Sequence, residues 1–402
     1  MSKKKELVPK FRFPKYVNSE QWISTELSSL LDYERPDLYI VESDNYKNEG
    51  IPVLTANKSF ILGYTDEKNN IYSRVPVIIF DDFTTEKKYV DFPFKVKSSA
   101  IKILKPKGNN VLKFVFELMN TINFEAKEHK RYYISTYQKL FVYVPKDVKE
   151  QQNIADCLSS TDDLIDAESR KLKVLEKYKK GLMQKLFPAE GKTLPEWRFP
   201  EFQDCEEWET VKLEKLALYR RGSFPQPYGL PEWYDEKSGM PFIQVFDVDD
   251  NMKLKSNTKN KISELAAQQS VFIPKGTLII TIQGSIGRVA ITQYDAYIDR
   301  TLLLFEKFFR KIDKTFLAYN LQLLFDIEKQ KAPGGIIKTI TKQALSEFLT
   351  SIPRIEEQEK IAGCLSEVDT MITEQSNKVE QLKAHKKGLM QGLFPSLEEA
   401  DV

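Results

Sequence analysis

Two stretches of this chain repeat the same spacing of apolar positions. Steps of four, three and four residues from Ile154 fall on Leu158, Thr161, Ile165, Glu168, Leu172, Leu175, Lys179 and Leu182. The same steps from Ile361 fall on Leu365, Val368, Ile372, Gln375, Val379, Leu382, Lys386 and Leu389. This spacing draws one apolar stripe down a helix and is the heptad pattern by which two helices pack together. It predicts two helices of about 35–39 residues, roughly 50–60 Å long at the usual helical rise. Pro188 and Pro395 end them.

The two stretches are copies. Residues 150–188 align with 357–395 at a constant offset of 207, with 21 of 39 positions identical, and the ending Lys-Lys-Gly-Leu-Met-Gln-x-Leu-Phe-Pro is shared. A weaker echo precedes each copy: Pro9-Lys10-Phe11-Arg12-Phe13-Pro14 matches Pro195-Glu196-Trp197-Arg198-Phe199-Pro200, and Trp22 and Leu27 then fall on Trp208 and Leu213. The chain is thus a tandem duplication in which each half is a globular region followed by a long helix.

Charge sets how the helices meet. Residues 150–168 carry six acids and no base, and 169–187 carry seven bases and one acid. The second copy has five acids and one base over 357–375, then four bases and one acid over 376–394. A parallel pair would set acid on acid, whereas an antiparallel pair sets acid on base and opposes the helix dipoles favourably.

Between the helices the pattern changes to short apolar runs bounded by polar turns. Residues 51–54, 75–80 and 140–144 read as strands and 111–120 as a helix; 242–246, 277–282, 289–292 and 301–305 read as strands and 314–329 as a helix. The expected architecture is α/β (α+β): two globular domains separated by two long helices paired as an antiparallel coiled coil. The boundaries are 1–145, a first globular domain; 146–190, a first helical region; 191–350, a second globular domain; and 351–402, a second helical region.

Composition narrows the function. With 60 Lys+Arg against 58 Asp+Glu the formal net charge is +2, so affinity for nucleic acid has to come from local patches. Cys157, Cys205 and Cys364 are too few and too scattered for a disulfide framework, which suits a reducing, cytoplasmic setting. No run is long enough to span a bilayer. His129 and His385 have no partners at metal-ligand spacing, and Gly191-Lys192-Thr193 lacks the first glycine of a P-loop because residue 186 is Leu. Neither a catalytic nor a metal constellation is expected, although the many acids leave a scattered nuclease site open as an alternative.

The candidate chemistry lies in polar loops. Arg220 and Arg221 precede Gly222 on a turn and suit phosphate oxygens or guanine. Gln283, Ser285 and Arg288 surround Gly284 and Gly287, where backbone can approach a ligand closely. Lys338 and Thr341 belong to a third loop that starts at Gly334, and Arg131 and Tyr132 close a basic, aromatic run in the first half. Off the helical seam, Leu164, Val174, Met183, Phe187, Met390 and Phe394 are candidates for partner docking.

The Ile352-Pro353, Glu357-Gln358, Ile361-Ala362 and Leu365 pattern, the duplicated helix endings and the Gly284-Ser285-Ile286-Gly287-Arg288 loop resemble the specificity subunits of type I restriction-modification systems. The resemblance covers nearly the whole chain. It implies two target recognition domains on double-stranded DNA and an asymmetric bipartite site. It also implies a non-catalytic role beside methyltransferase subunits, two of them expected, and restriction subunits. S-adenosylmethionine, ATP and Mg would reside on those partners, with no cofactor in this chain. The first domain departs from the family in lacking a Gly-Ser-x-Gly loop, so no base-reading residues carry over there. The competing reading is a helical interaction scaffold, or a cryptic nuclease, with two globular binding domains.

Overall fold

The structure, a computed structural model, describes residues 8–56, 59–128, 130–331 and 340–395. It forms two compact units, Met1–Ser169 with Asn377–Val402 and Arg170–Ser376. The long helices span Val148–Leu186 and Ile355–Leu393, 39 residues each, and both units draw on both helices.

In the first unit the acidic start of the first long helix lies against the basic end of the second. Lys386 Nζ is 2.6 Å from Asp162 Oδ1, and Lys378 Nζ is 2.5 Å from Glu168 Oε1. In the second unit the roles exchange, and Lys179 Nζ is 2.6 Å from Asp369 Oδ1. Lys179 and Lys386, like Asp162 and Asp369, are related by the 207-residue offset. The start of one helix meeting the end of the other, in each unit, makes the pair antiparallel, as the charge pattern predicts. Ile154 and Leu158 share a core with Leu393, and Ile361 and Leu365 share one with Leu186.

The first unit's four-stranded antiparallel sheet runs in the order Leu31–Glu34, Ile101–Pro106, Val77–Asp81, Lys87–Val90. A three-stranded sheet runs Ile61–Thr65, Ile51–Leu54, Lys95–Val96, its last pair parallel. Strand alternation divides the interior in two. Ile78 and Phe80 face the core that holds the Leu112–Thr121 helix and the long helices, while Val77 and Ile79 face a second core with Tyr72 and Phe94.

The second unit repeats this plan. One four-stranded sheet runs Ala217–Arg221, Leu302–Phe308, Leu278–Thr281, Val289–Ile291, and a second, with four strands where the first unit has three, runs Asn260–Ile262, Met240–Ile243, Ala296–Ile298, Val271–Ile273. Leu278 and Ile280 face the core with the Lys314–Lys331 helix, and Ile279 faces the other.

An aromatic triad closes each unit. Trp22 and Phe114 meet Phe394 with ring centroids 6.3 and 5.5 Å away, and Trp208 and Phe316 meet Phe187 at 6.3 and 5.2 Å. This corrects the docking role expected of Phe187 and Phe394. Each is 2–3% exposed in a core, because the residue after the last helical turn folds inward beneath the sheet domain. Met183 and Met390 are half-buried against the same cores. Leu164 and Val174 remain exposed, at 44% and 66%.

Candidate nucleic-acid interface

In the second unit one end of the four-stranded sheet collects three turns. The first follows Arg221. A Cβ on Gly222 would lie 2.3 Å from the Ile298 carbonyl oxygen, so only glycine permits this approach, and Ser223 N donates to that same carbonyl at 3.1 Å. The second turn spans residues 282–288. Thr281 Oγ1 donates to the Ser285 carbonyl at 2.5 Å and accepts from Arg288 N at 2.9 Å, while Gly287, at φ +79°, sits under the Phe325 ring. The third is Asp299-Arg300-Thr301, where Asp299 Oδ1 accepts from Thr301 N at 2.8 Å.

The second and third turns line an open groove with Gln226, Tyr228, Gln244 and Phe246. Three glutamines, Gln226, Gln244 and Gln283, line it, with Gln244 Oε1 accepting from Asn260 Nδ2 at 2.6 Å. The Arg300 guanidinium lies 4.9 Å from the Tyr228 ring centre, and Lys259 Nζ lies 5.0 Å from that of Phe246. Asp247 braces the floor: its carboxylate accepts from Gln244 N and Lys259 N, each at 2.9 Å. Burial pushes the Asp247 carboxyl up despite those two bonds. Asp299 Oδ2 is buried with no hydrogen-bond partner among the described residues, an unmet acceptor at the groove wall. Amides pair bidentately with adenine edges, guanidiniums with guanine or phosphate, and carboxylates accept from exocyclic amines.

The expected site residues are distributed unevenly. Gln283 lines the groove and Ser285 is exposed beside it. Arg288 is held elsewhere: Nε is 2.8 Å from Asp250 Oδ1 and Nη1 donates to the Val248 carbonyl at 2.9 Å, so its guanidinium ties two loops together. Arg220 pairs with Glu306 at 2.5 Å, whereas Arg221 is exposed without an ion pair among the described residues. Thr341 caps the Lys342–Ser346 helix, accepting from Ala344 N at 3.1 Å, and Lys338 lies outside the described residues. In the first unit Arg131 is exposed, with Nη2 3.5 Å from Ser99 Oγ and its guanidinium 5.9 Å from the Phe83 ring centre. Tyr132 is a correction: it is 4% exposed, and its hydroxyl is tied to the backbone of Glu128 at 2.8 Å, which removes it from any base contact.

Gln226, Tyr228, Gln244 and Arg300 escaped the sequence reading. They come from separate turns, and only folding brings them to one groove; the turn-rich run Pro225-Gln226-Pro227-Tyr228-Gly229 was the available signal. Among the described residues no group of three or more His, Cys, Asp and Glu side chains could hold a metal ion. No described helix is long and apolar enough to cross a membrane.

Residues 205–384 match the type I restriction modification DNA specificity domain. The chain is 29% identical over 371 residues to the Escherichia coli EcoR124I/EcoR124II specificity subunit, covering 87% of each protein. It is also 29% identical over 252 residues to a putative type I restriction enzyme MjaX specificity subunit of Methanocaldococcus jannaschii, covering 60% of this chain and 56% of that one. Its fold is similar to the crystal structure of a type I restriction-modification S subunit from M. genitalium, with a TM-score of 0.66 at 16% identity, covering 97% of this chain and all of that one. Fold and sequence therefore point to one class of similar proteins, the type I specificity subunits. Residues 205–384 thus match that DNA specificity domain, and most of the chain is similar to type I specificity subunits.

Proposed function

We propose that each unit reads one half of an asymmetric, bipartite DNA site and that the shared helices set a fixed unread spacer between the halves. The groove of the second unit carries this reading, because amide, guanidinium and aromatic groups converge there. The two units differ at their turns, so their half-sites differ and the whole site is not a palindrome. Each helix, at 39 residues, is roughly 58 Å long, enough to separate contacts by more than one 34–36 Å turn of duplex. Gln283, Ser285, Arg221 and Arg300 are the contacts proposed for the second half-site, and Arg131 belongs to the first.

The helices also offer a surface for the methyltransferase subunits. Leu164 and Met371 are equivalent under the 207-residue offset and are 44% and 49% exposed, one in each unit. Repeated apolar positions suit two copies of one partner, with Val174 extending the surface. On this reading S-adenosylmethionine, ATP and Mg are bound by the methyltransferase and restriction subunits.

Methylome sequencing of cells that express this chain with its methyltransferase subunit tests the proposal. The expected motif is bipartite and asymmetric, and Gln283→Ala alters only one half. A palindromic or uninterrupted motif overturns it.

A further inference from the structure

The first unit has no Gly-Ser-x-Gly loop, yet its backbone identifies the matching corner. In the second unit Ile282 N donates to the Thr301 carbonyl at 2.9 Å and Ile340 N to the Ile282 carbonyl at 3.5 Å. In the first, Asp82 N donates to the Ala100 carbonyl at 2.8 Å and Tyr132 N to the Asp82 carbonyl at 2.8 Å. The strands leading in agree: Asp81 pairs with Ile101 as Thr281 pairs with Leu302. Lys97 N bonds to the Leu54 carbonyl as Asp299 N bonds to that of Ile243, each at 3.0 Å. Asp82 therefore stands where Ile282 does, Phe83 where Gln283 does, and Ser98-Ser99 where Arg300 does.

The same strand register adds a fifth residue. Glu34 pairs with Ile103, so the next step sets Arg35 beside Lys102, the place that Arg221 holds beside Leu303. Arg35 and Arg221 are both exposed and have no ion pair among the described residues. The corner is built rather than loose. Buried Asp82 pairs with buried Lys102 at 3.0 Å and accepts from Tyr133 N at 2.7 Å, which fixes the backbone from which Phe83 and Arg131 project.

Resting on the two-unit reading above, we infer that Arg35, Phe83, Ser99 and Arg131 form the DNA-reading corner of the first unit. The chemistry differs from that of the second unit at each matched position. Phe83 is an aromatic platform in place of an amide, and the guanidinium arrives from residue 131 instead of residue 300. An Arg beside an aromatic ring offers donors to guanine O6 and N7, and the ring offers an apolar contact to a thymine methyl. This accounts for two different half-sites read by one fold.

The test expresses the full chain with its methyltransferase subunit and reads the methylated motif for wild type, Gln283→Ala, Arg131→Ala and Phe83→Gln. Arg131 is exposed, so its removal leaves the core intact, and the unaltered half of the motif reports that the complex has assembled. The expected result is that Arg131→Ala and Phe83→Gln make one position degenerate, or cut methylation at the original motif at least tenfold, only in the half that Gln283→Ala leaves unchanged. Retention of the full motif by both variants overturns this corner while leaving the two-unit reading standing, whereas a change in the same half as Gln283→Ala overturns the two-unit reading as well. A palindromic or uninterrupted wild-type motif overturns both.

Discussion

Arg12 clasps Glu150 with two parallel bonds, Nε to Oε1 and Nη2 to Oε2, both 2.8 Å. Its remaining donors reach the Ser19 and Glu20 carbonyls, and Trp22 Nε1 completes the carboxylate at 3.3 Å. Arg198 repeats this with Glu357 at 2.8 and 2.7 Å, the Cys205 and Glu206 carbonyls, and Trp208. The faint sequence echo around Arg12 and Arg198 is therefore a working part, fastening the entry of each unit to the first turn of a long helix. The bond to Glu150 is the main reason the Arg12 guanidinium holds its proton more tightly than usual.

Arg12→Ala strands the Glu150 carboxylate, whose side chain is 2% exposed. Breaking a buried pair in this way costs about 3–5 kcal/mol. Hydrogen exchange should show protection lost across strands Ile23–Glu26 and Phe141–Val144, with Glu209–Lys212 and Leu349–Ile352 unaffected. Arg198→Ala should give the reverse pattern. Uniform loss across both units would contradict separate clamps.

The helix pairing makes a charge-swap prediction. Lys386 faces Asp162 at 2.6 Å and buried Glu117 at 3.4 Å, and Lys113 neutralises the same two acids at 3.1 and 3.0 Å. Lys386→Glu sets a third acid among them and should lower the melting temperature. Adding Asp162→Lys should recover part of the loss, with a coupling of about 0.5–3 kcal/mol in a double-mutant cycle. Strictly additive effects would mean that the two side chains do not interact in solution.

The helices were legible because a heptad over 39 residues averages out local exceptions, and an acid-to-base gradient has one good pairing. The identical Glu-Gln at each helix start was visible as a motif but not as a device. Gln151 Oε1 accepts from Val111 N and Gln358 Oε1 from Asp313 N, each at 3.0 Å, so both glutamines hold the backbone where the next helix of the unit begins. Phe187 and Phe394 looked like exposed helix residues because the heptad says nothing of the chain beyond its last turn. The groove was the least legible part. Gln244 and Gln283 are 39 residues apart in sequence, and no local pattern shows that their turns share one end of a sheet. For Arg288, sequence reveals a guanidinium but not that Asp250 and the Val248 carbonyl share its donors.

Glycine chemistry in the reading loop can be isolated by comparing two sites. Gly276 and Gly287 have nearly the same φ, +80° and +79°, but a Cβ on Gly276 meets nothing within 4 Å, whereas one on Gly287 lies 2.6 Å from the Phe325 ring. Gly276→Ala should cost only the left-handed backbone penalty, about 1–2 kcal/mol. Gly287→Ala adds the overpacking cost, typically about 1–3 kcal/mol more. It should also displace Gln283 and weaken recognition of one half-site. Chemical denaturation and the methylated motif measure the two effects, and equal stability losses would show that Phe325 moves aside freely.

Arg288 and Arg300 should separate structure from reading. Arg288 spends its donors on Asp250 and the Val248 carbonyl, so Arg288→Ala frees the loop that carries Phe246 and Asp247. DNA affinity of the assembled complex should fall for every sequence alike, with the salt dependence unchanged because no phosphate contact is removed. Arg300 lines the groove against the Tyr228 ring and makes no ion pair among the described residues. Arg300→Ala should therefore cost about 1–3 kcal/mol against the preferred base and much less against others, relaxing one position if that base is guanine. Competition binding on a set of singly substituted duplexes resolves the two patterns. A position-specific loss from Arg288→Ala, with an even loss from Arg300→Ala, would reverse these assignments and make Arg288 the reader.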